Sequence, residues 1–382
     1  MPDPEDLSPL HVPPFSGAIS KLEDLMAEGG RAFLLGAGCS KCAGLPLTGE
    51  LTERALESEK PNESTKKILE AIQSNFAGAD YPNIEDYLSE LVDLIAIADR
   101  RKARGVEDVV MILAGDDYEP EALHDAAEQI KEAISEVINQ PVDVHHHLRL
   151  VQAVHRPSRQ GRTAGSHCVD YLVLNYDPLI ETSLALGKIP YADGLEGGAV
   201  AWWNPETFGR PGLGARVLKL HGSIDWSELP EEVFPRRIPS SVTGLDAGER
   251  RIMIWPASTK YRETQRDPYS QLSNIAREAL RPAPDSQRVL VICGYSFGDS
   301  HINVEIAAAL RESHGRLTVI AFYPEEELSG EIKIWHEDPV IRDQVLIYGR
   351  RGFWHGDESE KSTTDLPWWK FENVVRMLEG ER

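Results

Sequence analysis

Residues 31–40 read Arg31-Ala-Phe-Leu-Leu-Gly36-Ala-Gly38-Cys-Ser40. A short apolar run that enters glycine directly is the signature of a strand buried on both faces and closed by a tight turn. Lys41-Cys-Ala-Gly44-Leu-Pro46 follows, with a helix start at about Pro46 or Thr48. Strand, glycine turn and helix in that order predict backbone amides that approach a pyrophosphate, helped by the helix dipole. The pattern departs from G-x-G-x-x-G, because Lys41 stands in the place of the third glycine. A plain strand-to-helix turn is the alternative for this stretch taken alone.

Working outward, Ser16 to Gly30 reads as an amphipathic helix with Ile19, Leu22, Leu25 and Met26 on one face. Before it, Pro2, Pro4, Pro9, Pro13 and Pro14 make residues 1–15 an expected extended arm. After the turn come four helical patterns: Thr48–Glu59, Ser64–Phe76, Ile84–Arg101 and Glu119–Ile138. Asn83 suits the N-cap of the third, with Asp86 in its first turn. Residues 48–140 hold 22 acidic and 9 basic side chains, so −13 of the formal −22 charge sits there. Solvated helix faces account for this; a docking surface for a basic partner or for like subunits is the functional alternative.

Beyond His147 the pattern changes. Apolar runs at 171–174, 216–220, 252–255, 289–293, 317–322 and 344–348 alternate with helical stretches at 177–185, 269–280 and 302–311. Such alternation predicts an α/β fold: a Rossmann-like, mostly parallel sheet with helices on both faces, interrupted by a large helical insertion. The expected organisation is an arm at 1–15, the first part of the sheet domain at 16–47, an acidic helical insertion at 48–165, and the rest of the domain with a C-terminal helix at 166–382. In open α/β sheets ligands bind beyond the carboxyl ends of the strands.

Four runs end in chemistry. The first ends in Gly36-Ala-Gly38-Cys-Ser40 and the second in Asn175-Tyr-Asp177. The third ends in His221-Gly222-Ser223 and a later one in Gly294-Tyr-Ser296-Phe-Gly298-Asp299. Caps, turns and a core histidine explain each singly. Four in succession at the functional end of a sheet point to a site.

The set resembles the sirtuin superfamily, the NAD-consuming silent-information-regulator fold. Gly36-Ala-Gly-Cys-Ser40 and Ala43-Gly-Leu-Pro46 look like its glycine loop, Leu174-Asn-Tyr-Asp177 like its Q-N-I-D, His221-Gly222 like its H-G, and Gly294-Tyr-Ser296 like its late G-[ST]-S. The resemblance implies that Gly36, Ala37, Gly38 and Ser40 cradle the pyrophosphate. It implies that Asn175 holds a ribose hydroxyl or orients a water, and that Asp177 grips the nicotinamide carboxamide. His221 would work on the ribose hydroxyls, and Gly294 and Ser296 would approach the adenosine side. The protein deacylases of the family carry a four-cysteine zinc ribbon after H-G, yet residues 223–292 contain no cysteine. The family's P-D-F-R is Pro46-Leu-Thr-Gly49 here, and roughly 130 residues of mainly acidic helix stand between the glycine loop and Asn175. These features look more like the sirtuin-like NAD hydrolases of prokaryotic antiviral defence, with NAD as substrate, no metal, a homo-oligomer, and a HerA-type ATPase as candidate partner. The alternatives are a non-catalytic NAD or ADP-ribose sensor that scaffolds a complex, and a zinc-free protein deacylase.

Composition agrees. A sequence of 382 residues with a formal charge of −22 disfavours nucleic acid as a direct partner, because phosphate backbones are met by clustered Lys and Arg. No run is long enough to span a bilayer and MPDPEDLSPL carries no secretion pattern, so a cytoplasmic chain is expected. Cys39-x-x-Cys42 reads as two small residues in a turn, with a redox or half-metal motif as the alternative. His145-His-His147 reads as helix surface, since consecutive helical side chains diverge by about 100°, with a zinc role as the alternative. In Asp299-Ser-His301-Ile-Asn303, Asp299 or Ser300 caps a helix, or else His301 or Asn303 faces the cofactor. Trp202, Trp203, Trp255, Trp368 and Trp369 suit packing, with adenine stacking as the alternative. No Walker loop is present.

Overall fold

Ala32 and Leu34 pack on one side of the first strand, Phe33 and Leu35 on the other, and all four are buried. A strand apolar at every inner position must be covered on both faces. The computed structural model describes residues 5–27, 30–76, 81–156, 168–229, 232, 234–238, 251–254 and 267–381. Its main sheet has nine strands. In chain order they are β1 (Arg31–Leu35), β2 (Val169–Val173), β3 (Tyr191–Ala192), β4 (Ala215–Lys219), β5 (Arg288–Cys293), β6 (Leu317–Tyr323), β7 (Val345–Gly349), β8 (Gly352–His355) and β9 (Glu358–Lys361). In space they run β9-β8-β7-β6-β5-β1-β2-β4-β3. All pairs from β7 to β3 are parallel; β8 and β9 add an antiparallel edge.

Helices α1 (Ser16–Met26), α6 (His145–His155), α7 (Leu179–Leu186) and α11 (Phe371–Leu378) cover the Phe33/Leu35 face. Helices α8 (Tyr269–Leu280), α9 (Ser300–Ser313) and α10 (Gly330–Glu337) cover the Ala32/Leu34 face. The expected α/β architecture is therefore observed.

Between β1 and β2 the chain builds a separate helical layer from α2 (Thr48–Glu57), α3 (Glu63–Asn75), α4 (Ile84–Ala103) and α5 (Pro120–Ile138), with a small hairpin at 111–118. Its core includes Leu51, Ile68, Leu88, Leu91, Leu123 and Ile130. The Asn83 side chain accepts from the Asp86 amide and Asp86 answers the Asn83 amide, a complete capping box at the start of α4. This core also takes in Tyr176, Leu179 and Ile254, so the layer sits on loops at the carboxyl ends of the strands.

Three expectations change. Residues 5–15 are not an extended arm: a 3-10 turn at Ser8–His11 brings Leu7 and Leu10 to one face, and both are buried with Phe15 against Trp368. Burial of the two leucines favours the turn, and a single 3-10 turn is short enough to start at a proline. The helical insertion does not run to 165, because Leu150, Val151 and Val154 of α6 already belong to the sheet domain's core. Finally, the 252–255 run does not join the parallel sheet. Arg251–Ile254 pairs antiparallel with Gly222–Glu228 in a second, five-stranded sheet that continues through 236–237, 201–203 and 195–197.

Candidate functional site

The register puts four strand ends at one level. Leu35 lies opposite both Cys293 and Val173, and Val173 lies opposite Lys219. The motifs that follow these residues are thus side by side. The chain winds from β1 to β2 and β4 on one side and returns to β5, β6 and β7 on the other. The reversal between β1 and β5 is the crevice where doubly wound sheets bind ligands.

At that crevice the glycine loop meets the Gly294 loop in contact. The Gly36 amide donates to the Cys293 carbonyl at 3.0 Å and the Gly38 amide to the Gly294 carbonyl at 2.9 Å. A Cβ on Gly38 would lie 2.7 Å from the Gly294 Cα, and one on Gly294 would lie 2.3 Å from the Cys39 nitrogen. Gly294 also has φ +62°, in the left-handed region. The glycines therefore let two loops cross. Cys39 and Ser40 amides close the 3-10 turn onto Gly36 and Ala37. Among the described residues, the Ala37 amide is the one in 36–40 with no protein acceptor.

Ser40 is likewise committed. It is buried, its hydroxyl donates to Asp177 Oδ2 at 2.7 Å, and it accepts from Asn175 Nδ2 at 2.7 Å. Asn175 Nδ2 also donates to the Gly36 carbonyl at 3.0 Å. Two acceptors fix the amide's orientation, and Oδ1 receives no donor among the described residues. Asp177 is buried, its Oδ1 takes the Leu179 amide at 3.1 Å, and its backbone carbonyl receives Lys219 Nζ at 2.5 Å. Each Asp177 oxygen keeps a second lone pair for a further donor. Lys219 is fully buried at the end of β4, with Glu181 at 3.8 Å. Burial pushes the Glu181 carboxyl up to about 7, against the pull of Lys219.

His221 stands at the junction of the two sheets, where β4 ends and the strand from Gly222 begins. Gly222 has φ +81°, and a Cβ there would meet the Met253 carbonyl oxygen at 2.1 Å. Only glycine lets the chain turn at this point. Ser223 Oγ and the Ile224 amide both donate to the Tyr176 carbonyl, tying the His221 loop to the Asn175 loop. Tyr176 OH reaches Glu85 in the first turn of α4 at 3.1 Å, which joins the helical layer to the site.

The fourth loop supplies Asp299. Its Oδ1 caps α9 by accepting the His301 amide at 3.0 Å and the Ile302 amide at 3.4 Å. Its Oδ2 lies 3.2 Å from His221 Nε2, both side chains buried. Asn303 is turned inward, binding Tyr295 OH and the Phe297 carbonyl. Ser296 is exposed, with its hydroxyl beside the Gly298 amide at 3.4 Å.

Sequence reading missed four contributions here. Ser40 bridges Asn175 and Asp177. Lys219 clamps the Asp177 carbonyl, and a lysine at the end of an apolar run is a signal for such a role. Asp299 caps and also meets His221. His147 is not on a helix surface: it is 1% exposed, its ring lies 4.9 Å from Phe371, and burial holds it neutral with a value lowered to about 4, against the pull of Asp177. The cysteines read correctly as turn residues. Cys39 Sγ donates to the Cys293 carbonyl, Cys42 Sγ to that of Cys39, and burial raises the Cys42 thiol to about 12. Trp203 and Trp368 are buried, Trp202 is exposed, and Trp255 lies outside the described residues. Among the described residues no cluster of three His, Cys, Asp or Glu side chains could hold a metal, and no helix is long and apolar enough to cross a membrane.

A family model described as SIR2-like domain matches residues 170–342, a span holding Asn175, Asp177, His221, Gly294 and Ser296. The match supports a sirtuin-like family, whose domains use NAD and are associated with NAD-dependent enzymatic activity. No curated protein matches the chain.

Proposed function

We propose that this chain is an NAD glycohydrolase. NAD and water enter, the bond between the nicotinamide nitrogen and the ribose anomeric carbon breaks, and nicotinamide and ADP-ribose leave with one proton. The observation that carries this reading is the state of Asn175. Its amide nitrogen is locked by Gly36 and Ser40, so its Oδ1 is the atom it offers a ligand, at the same level of the sheet as His221.

The chemistry suits these groups. Departure of nicotinamide leaves an oxocarbenium-like centre. A fixed carbonyl dipole beside that centre stabilises developing positive charge and orients a water, without reorganisation at the moment of reaction. His221 takes the proton from the ribose hydroxyl or the water, a task that suits imidazole near neutral pH. Asp177, with spare lone pairs, accepts from the nicotinamide carboxamide. The Ala37 amide and the exposed Ser296 hydroxyl are the donors for the pyrophosphate and adenosine side.

The missing zinc-ribbon cysteines and the helical layer over the strand ends favour water over acyl-lysine as acceptor. By its resemblance to the hydrolases of prokaryotic antiviral defence, we place the activity in NAD depletion on phage infection, in the cytoplasm. Control rests with assembly into a homo-oligomer or with a HerA-type ATPase, since an unrestrained NAD hydrolase would harm its host. Purified full chain is mixed with NAD, and nicotinamide is followed with and without candidate partners. Release supports the reading; NAD bound and uncleaved in every assembly identifies a sensor instead.

A further inference from the structure

His221 and Asp299 are 78 residues apart in sequence and meet because β4 and β5 end at one level on either side of β1 and β2. Asp299 Oδ2 lies 3.2 Å from His221 Nε2, with 4% and 6% of the two side chains exposed. The carboxylate itself is held. Its second oxygen caps α9, while its backbone carbonyl receives Tyr295 OH, and Tyr295 is braced by Asn303. A carboxylate fixed on both sides holds whatever meets its remaining oxygen.

We propose that Asp299 is a positioning residue for His221, a role that rests on the hydrolase reading above. An ionised carboxylate only accepts hydrogen bonds, so the nitrogen facing it carries the proton. Asp299 thereby sets His221 as the Nε2–H tautomer and places the basic lone pair on Nδ1. The carboxylate also stabilises the imidazolium that results when the neutral ring takes up a proton. Histidines that act as bases are commonly oriented in this way by a carboxylate on the other ring nitrogen.

The substitution Asp299→Asn separates this role from the structural one. Asparagine caps a helix about as well as aspartate, so α9 keeps its N-terminus. Its amide also presents N–H to the imidazole, which favours the inverted tautomer. With full-length chain labelled with 15N-histidine, His221→Asn identifies the His221 signals. The wild type is expected to show the Nε2–H tautomer, and Asp299→Asn to lose it. Nicotinamide release by Asp299→Asn is expected to fall about 10²- to 10⁴-fold in kcat, with KM for NAD changed little and the unfolding midpoint unchanged. An unaltered tautomer in Asp299→Asn, or release within threefold of wild type, overturns the proposal. If the wild type cleaves no NAD in any assembly, the hydrolase reading falls, and the tautomer then decides by itself whether Asp299 sets His221.

Discussion

Ser40 shows how little of the site's logic is carried by residue type alone. A hydroxyl after a glycine loop suggests a phosphate ligand, yet here it accepts from Asn175 and donates to Asp177. The direction of each bond is forced, because a carboxylate cannot donate. Ser40→Ala leaves a buried carboxylate oxygen short of its donor, at an expected cost of about 1–3 kcal/mol. It also frees Asn175 to rotate. The expected outcome is a lower urea midpoint together with at least a tenfold loss of nicotinamide release. Unchanged release would show that the Asn175 orientation does not depend on this bond. His147, behind the same pair, gives a pH signature. Burial lowers its folded value to about 4, while Asp177 and Asp143 pull it up and His146 pushes it down. The unfolded value is about 6.5. Between those limits the unfolded chain binds more protons, so the contribution of His147 is complete above about pH 6.5 and drains away as pH falls towards 4. Melting curves should therefore show a steeper loss of stability with acid in wild type than in His147→Gln across that window, with the two dependences alike above about pH 6.5.

At the scale of elements, the strand ends do the positioning, and glycine makes two of them possible. Gly222→Ala would force a Cβ to within 2.1 Å of the Met253 oxygen at a φ of +81°. We expect a loss of ~3 kcal/mol or more, read as a lower denaturant midpoint, and a displaced His221. Asn83→Ala removes half of the capping box on α4 and should cost about 1 kcal/mol of stability, measured in the same way. Much of this level was legible in the sequence. Apolar runs gave β1 and the start of α8 within their observed bounds, and the Asn83 cap was visible because its spacing to Asp86 is local. What escaped depends on partners distant in the chain. The Gly36 and Gly38 amides look available until Cys293 and Gly294 arrive beside them. The α6 pattern looks like more insertion until Leu150 and Val151 meet the sheet, and His147 looks exposed until Phe371 covers it. The second sheet was missed because four of its five strands have two to four residues, too few to carry a period, and 201–203 and 222–228 find partners at 236–237 and 251–254 outside their own runs.

At the scale of the molecule, one doubly wound sheet carries the site and one helical layer closes over it. Of the formal charge of −22, residues 48–140 hold −13, so the acidic surface and the proposed chemistry belong to different parts of the chain. The layer is coupled to the site through Tyr176, whose hydroxyl meets Glu85 and whose carbonyl meets Ser223. Tyr176 thus touches both the helical layer and the His221 loop. The three cysteines near the site, Cys39, Cys42 and Cys293, lie in or beside buried packing, with Cys39 and Cys42 bonded to backbone carbonyls. Nicotinamide release should therefore survive a chelator such as EDTA, and loss of activity on chelation would require a metal site that these residues do not explain. The most direct test of the account compares NAD cleavage by full-length wild type, Asn175→Ala and His221→Ala at matched folding. The account predicts nicotinamide and ADP-ribose in equal amounts from the wild type and a loss of 10²-fold or more, about the scale of general-base catalysis, in each variant. Equal rates in all three proteins would contradict it.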